Sequence, residues 1–256
     1  MKIYILSFFG SAILLLGCQS NVNNGIYPLS GNNRIYTLSE IVAPVHLKDY
    51  KGWGPQDSYE ASDKNDPPLT VRKLLTFGND GHDDPTHVLV EHGYALLVRI
   101  YRINGNNYDL VWEYADWISY LKEPEFIYFN GLYFLLIAVE NGGSSTYRKY
   151  YMFWMNGPEL KELEIEDPIK SISNSFKPGE YSESGRVWFK KGKGSPVDFE
   201  FAIWKKNDLS NHPTGGHVEG CFKIVNDSKG MPLKIVVDSY RHDPPDEPST
   251  SSPPAK

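Results

Sequence analysis

Cysteine is nearly absent from this chain: 256 residues contain two, Cys18 and Cys221. A protein with so few thiols is no disulfide scaffold, so its stability must come from a core. Basic excess is missing as well. The formal net charge is −6, and a nucleic-acid binder would normally show a basic face. No stretch after residue 17 approaches 18 consecutive apolar residues, so no later segment reads as a membrane-spanning helix. Gly-x-Ser-x-Gly does not occur, and Lys190-Lys191-Gly192-Lys193-Gly194 lacks the spacing of a P-loop and reads as a hairpin turn. "NGGSST" at 141–146, with Ser144 and Ser145, reads as a polar loop, not a nucleophile. Helical periodicity is scarce too. "YTLSEIVAP" and "EYADWISYLKEP" are the two short-helix candidates, the second ending before Pro124.

What the chain has first is an address. Lys2 precedes an apolar run from Ile3 to Leu16, shorter than the about 20 residues that cross a bilayer as a helix. A basic start, a short apolar middle and small residues at a cut site make a secretory signal. Leu15-Leu16-Gly17-Cys18 resembles the lipobox of bacterial lipoprotein precursors. The resemblance implies cleavage before Cys18, a diacylglycerol on its thiol and acylation of the new amino terminus. Each buried lipid methylene contributes about 0.8 kcal/mol, so the mature protein is expected to be held to a membrane without spanning it. In the proteobacterial form of the motif an Asp after the cysteine favours the inner membrane. Gln19 stands there instead, which leans toward the outer membrane of a bacterial cell envelope.

Composition then divides the chain. Residues 1–17 are the signal peptide, and 18–33, rich in Asn and Gly, read as a lipidated tether. Residues 34–241 are the folded body. Residues 242–256 form a Pro-rich tail with too little apolar surface to offset the entropy of ordering it. The body is predicted to be all-β, with antiparallel sheets built from successive hairpins. "THVLVEHGYALLVRIYRING" reads as two strands turning at His92-Gly93, with Glu91 opposite Tyr94, Val88 opposite Leu97 and both faces apolar. Asn-Gly at 104–105, 130–131 and 156–157 marks further turns, because these residues tolerate positive φ at both central positions. "GRVWFKKGKGSPVDFEFAIW" and "CFKIVNDSKGMPLKIVVDSY" supply two more hairpins. Val88–Tyr114 and Phe126–Leu163 share one order of events, about 40 residues per unit, as in a propeller blade. A blade-like, partial-propeller assembly and a β-sandwich both fit.

Two regions could carry chemistry. "FGNDGHDDPTHVLVEH" brings Asp80, His82, Asp83, Asp84, His87 and His92 close together. Asp80-Gly81 followed by Asp84 resembles the second half of the calcium loops in FG-GAP-type propeller repeats. The first two acidic positions of that pattern fall on Thr76 and Gly78, which supply no carboxylate. Asp80, Asp84 and His87 are thus the candidate metal ligands, for calcium or a transition metal, against the plain reading of a solvated loop with Asx turns. Glu123 and Glu125 flank Pro124 as a carboxylate pair whose spacing in space sequence does not give. The second region is aromatic: 35 residues are Phe, Trp or Tyr. Trp112, Trp117, Tyr147 and Trp154 are candidates for a recognition surface over 112–120 and 147–154, against the plain reading of core packing. Cys221, between apolar residues, reads as a buried inert thiol.

The function expected from these features is a membrane-anchored envelope lipoprotein, without catalytic residues, that binds a protein or glycan partner. The alternative is a metal-dependent hydrolase using the loop at 80–92.

Overall fold

The computed structural model describes residues 34–45, 68–78, 85–93, 96–116, 119–141, 147–209 and 212–244. They form antiparallel β-structure, as the sequence predicts. Cys18, the tether and the tail after residue 244 lie outside the described residues, as do Asp80, Asp84, Trp117, Ser144 and Ser145. Among the described residues no helix is long and apolar enough to cross a membrane.

The first sheet contains β1 (Ile35–Tyr36), β2 (Val71–Phe77), β3 (His87–His92), β4 (Leu96–Asn104) and β5 (Asn107–Asp116), in the order β1-β5-β4-β3-β2. Helix α1 (Leu38–Ile41) forms inside "YTLSEIVAP" as predicted, opened by a capping box between Thr37 and Glu40. The next strands are β6 (Ser119–Leu121), β7 (Glu125–Phe129), β8 (Leu132–Asn141), β9 (Arg148–Asn156) and β10 (Glu159–Ile165). Then follow α2 (Pro168–Ile172), β11 (Glu180–Tyr181), β12 (Trp188–Lys191), β13 (Val197–Lys205), β14 (Gly216–Asn226) and β15 (Pro232–Asp243). The second helix starts where Asp167 caps two backbone amides and Pro168 takes the first helical position. Two parallel pairs, Glu164 with Lys234 and Ile165 with Ile235, join β10 to β15.

Side-chain alternation stacks these strands into three layers. On β8 and β9 the odd-numbered Leu135, Ile137, Val139, Tyr151, Phe153 and Met155 pack with Phe77, Leu89, Val98 and Ile100 of the first sheet. The even-numbered Phe134, Leu136, Met152 and Trp154 pack with Phe199, Phe201, Val218 and Phe222 of β13 and β14. The β6–β10 sheet is therefore the middle layer, with both faces in cores. Ile41 of α1 covers the far side of the first sheet, over Val88, Val90 and Tyr101. The far side of the third layer stays open on the His217–Glu219–Cys221 face of β14. At Gly220, on its inner side, an added Cβ would lie 2.3 Å from the Phe199 ring.

Three sequence expectations need correction. The β3–β4 hairpin does not turn at His92-Gly93: Val88 faces Tyr101, and His92 faces Leu97. Gly93 donates its amide to the Thr70 carbonyl and is the first turn residue, so the turn follows His92 and does not include it. The displacement is four residues, an even number, so each side chain keeps its expected face. Second, the described residues of "EYADWISYLKEP" form no helix; they supply the end of β5 and all of β6. Asp116 accepts hydrogen bonds from Tyr114 and Ser119 there, tying the end of β5 to the start of β6. Third, positive φ at both turn positions occurs only in the Asn130-Gly131 turn (51° and 80°). In the other two, Asn104 pairs with Asn107 and Asn156 with Glu159. There Gly105 and Gly157 alone carry positive φ, ahead of Asn106 and Pro158. That is the II′ form, with glycine first.

Phe153→Ala and Trp154→Ala remove buried neighbours on opposite faces of one strand. Each is expected to cost about 3–5 kcal/mol. Both should shift a single cooperative urea transition, because the two cores share β9; separate transitions for the outer layers would contradict that coupling.

Candidate functional site

The acidic and histidine-rich segment contributes one described candidate ligand, and it is turned inward. His87 begins β3 and is 1% exposed. Its Nδ1 lies 2.9 Å from Thr86 Oγ1, and its ring stacks on Phe77 at 5.4 Å. Its Nε2 has no partner among the described residues. His87 is thus buried at the start of β3, while Asp80 and Asp84, the other two candidate ligands, lie outside the described residues. His92, expected in a hairpin bend, ends β3 under α1, with Nε2 3.3 Å from the Ala43 carbonyl.

The aromatic candidates separate in the same way. Trp112 is 6% and Trp154 3% exposed; Trp112 of the first sheet faces the middle layer, and Trp154 of the middle layer faces the third. Neither presents a ring to solvent, so both belong to the cores. Tyr147 is 39% exposed, donates to Glu183 Oε2 at 2.8 Å and lies beneath the Arg186 guanidinium. The two aromatic segments do meet, through Trp112 on Tyr151 (5.0 Å) and Tyr114 on Tyr151 (5.4 Å). Lys149 places its ammonium over the Tyr114 and Tyr151 rings at 5.6 and 5.3 Å. Burial pulls the Lys149 amine below its ordinary range, against the pull of Asp116 and Glu162. Burial also pushes the Glu162 carboxyl up, although Trp112 Nε1 donates to it at 3.1 Å. This is a polar margin to a core, built from cation–π contacts, in which Tyr151 Oη has no hydrogen-bond partner among the described residues.

Two concavities that sequence reasoning missed carry more. The first, about 290 Å³, opens between the middle layer and β12. Both β6 and β7 pair with the same edge of β8, and the Lys122-Glu123-Pro124 step between them leaves a gap. Proline in a strand-like run interrupts pairing, which was the available signal. Leu136 and Ala138 line the cavity from β8. Tyr150 and Phe189 stack at 4.2 Å beside it, and the Phe189 amide donates to Tyr150 Oη at 3.0 Å. Lys122, Arg148, Glu123 and Glu125 also line it. Lys122 and Arg148 both hold Glu140, at 2.9 and 3.0 Å. Burial alone would raise the Glu140 carboxyl, but hydrogen bonds from Tyr120, Lys122 and Arg148 hold it below the usual carboxylate range. Glu123 is ion-paired with Lys73. The carboxylate pair flanking Pro124 thus reaches one cavity.

The second concavity, about 470 Å³, runs along the open face of β12–β15 and is lined by Lys190, Asp198, Glu219, Cys221, Ser239 and Arg241, among others. Cys221 is half-exposed there, its Sγ 3.2 Å from Ser239 Oγ, and not buried as expected. The alternation of β14 sends Val218 and Phe222 inward and leaves Cys221 on the open side. On the same face Glu200, His217 and Glu219 bring their donor atoms within 4.8 Å of one another.

Burial, with a smaller effect from the Arg102 charge, lowers the His87 pKa to about 4, and burial lowers that of His92 despite its bond to Ala43. Both histidines titrate lower in the folded than in the unfolded protein. Their contribution is therefore whole above the unfolded value near 6.5 and is lost as pH falls toward 4. The His87 loss should reach about 3 kcal/mol at pH 4. Urea unfolding at pH 7.5 and 4.5 measures it, with His87→Phe expected to flatten the dependence; an equal dependence in both proteins would refute the assignment.

No family model, curated protein or solved structure matches this chain, so the reading of its sites rests on its own residues.

Proposed function

We propose that this protein is a lipoprotein of the bacterial cell envelope, anchored to the membrane through lipid on Cys18, and that it binds glycan without catalysing a reaction. The lipobox-like Leu15-Leu16-Gly17-Cys18 supports the anchor, and Gln19 leans its placement toward the outer membrane. Residues 18–33 then serve as tether and the body, which β15 extends to Asp243, as the binding part ahead of the Pro-rich tail. The mildly acidic charge argues against nucleic acid as the partner.

One observation carries the choice of glycan: the cavity beside Tyr150 and Phe189. An apolar floor, an aromatic wall and a few charged groups are what a sugar ring requires. Its C–H face packs on the apolar side, and its hydroxyls bond to Arg148, Glu125 and Lys122. A protein partner is the competing occupant. The alternative of a metal-dependent hydrolase at 80–92 gains no support from His87, whose ring is enclosed.

Two experiments test the proposal. Crosslinking in intact cells should capture envelope material with the natural protein and lose it with Cys18→Ala, which removes the lipid site. Binding of purified Cys18→Ala protein to an array of envelope glycans should be saturable and at least about tenfold weaker after Glu125→Ala, a loss of about 1.4 kcal/mol. Capture of a single protein with no glycan binding would overturn the glycan reading. Turnover of a glycan, peptide or ester library would overturn the non-catalytic one.

A further inference from the structure

We infer that Glu200, His217 and Glu219 form a binding site for a divalent cation of the zinc class on the open face of the third layer. Glu200 of β13 pairs directly with Glu219 of β14. His217 lies two residues before Glu219 on the same strand, and therefore on the same face. Just beneath, Phe201 and Val218 are sealed in the core, so the backbone that presents the three side chains is held rigid.

The donor geometry suits a small tetrahedral ion. His217 Nε2 lies 3.4 Å from Glu219 Oε1. Two ligands about 2.0–2.1 Å from a tetrahedral metal stand roughly 3.3–3.5 Å apart, so this pair already spans one edge of the tetrahedron. The three donor atoms fall within 4.8 Å of one another, leaving Glu200 a short rotamer adjustment to make. An imidazole with two carboxylates selects zinc and its neighbours. Calcium and magnesium ask for oxygen ligands alone and for more of them. Three protein ligands leave a fourth position open, where water or an anionic group of a bound molecule can coordinate.

The neighbouring cations act on this site in two ways. Lys190 holds Glu200 Oε2 at 2.8 Å and Arg241 holds Glu219 Oε2 at 2.9 Å. Each contact holds a carboxylate through its Oε2, as partners behind a metal ligand do, and Glu219 Oε1 remains on the His217 side. Both are positive charges next to an incoming dication, which sets the affinity well below that of a structural zinc site. The Lys190 side chain is half-exposed and can turn to solvent when the ion enters.

The test uses the full chain carrying Cys18→Ala, with zinc chloride as the probe and calcium chloride as the control. Calorimetry should give one zinc per chain, with Kd on the order of micromolar, and no saturable calcium binding. Imidazole resonances in a two-dimensional nitrogen–proton spectrum should show His217 shifting first. His217→Ala should abolish the site, and Glu219→Gln should weaken it at least about tenfold, both with an unchanged urea midpoint. Absence of saturable zinc binding overturns the inference. So does zinc that perturbs other histidines and leaves the His217 signals in place, a readout on the unmutated site that does not depend on how the variants fold.

Discussion

Strand β9 is closed on both sides. Tyr151, Phe153 and Met155 serve one core while Met152 and Trp154 serve the other, and all five are buried. A strand covered on both faces cannot carry the usual polar half of a β pattern, and "YYMFWM" contains none. Everything else is arranged around that demand. The first sheet and the third layer are each half-covered structures that need the middle layer as their inner surface. Among the described residues the covering ends at the gap between β6 and β7 and on the far side of β12–β15, where the two concavities lie.

How much of this was legible follows from how each signal is encoded. Strand identity is written locally, by β-branched and aromatic runs between Gly-containing turns, and the all-β reading stands on it. Asn130-Gly131 declared its turn type outright, whereas Asn104-Gly105 and Asn156-Gly157 looked the same and closed as a different type. The difference lies in the pairing register, which depends on partners one strand away. The segment at 113–124 looked helical because its spacing fits a short helix, but β8 offers it an unpaired edge. Tertiary pairing overrides a marginal local preference.

The candidate site was harder to read for the same reason. His87 sits in an acidic loop sequence yet points inward, because the alternation of β3 assigns its face regardless of the residues before it. Trp112 and Trp154 could not be told from surface aromatics without knowing that two further layers cover them. Glu200, His217 and Glu219 are individually ordinary, and only the pairing of β13 with β14 makes them neighbours. Pro124 was visible from the start; what it vacates was not, since the cavity needs Tyr150 and Phe189 from other parts of the chain.

The parallel junction of β10 with β15 bears on the order in which the molecule assembles. Glu164 meets Lys234, 70 positions further along the chain, with only two residue pairs in register, whereas the β6–β10 meander closes through near neighbours. Closing a long loop costs entropy before any contact rewards it, and long-range pairings are correspondingly slow. Local pairing therefore favours early formation of the middle layer, whose second face is covered by Phe199, Phe201, Val218 and Phe222 of β13 and β14 and by Ile235 of β15. The groove on the open face of the third layer, lined in part by Ser239 and Arg241 of β15, is completed by that pairing, whereas the donor atoms of β13 and β14 are already neighbours within their own hairpin.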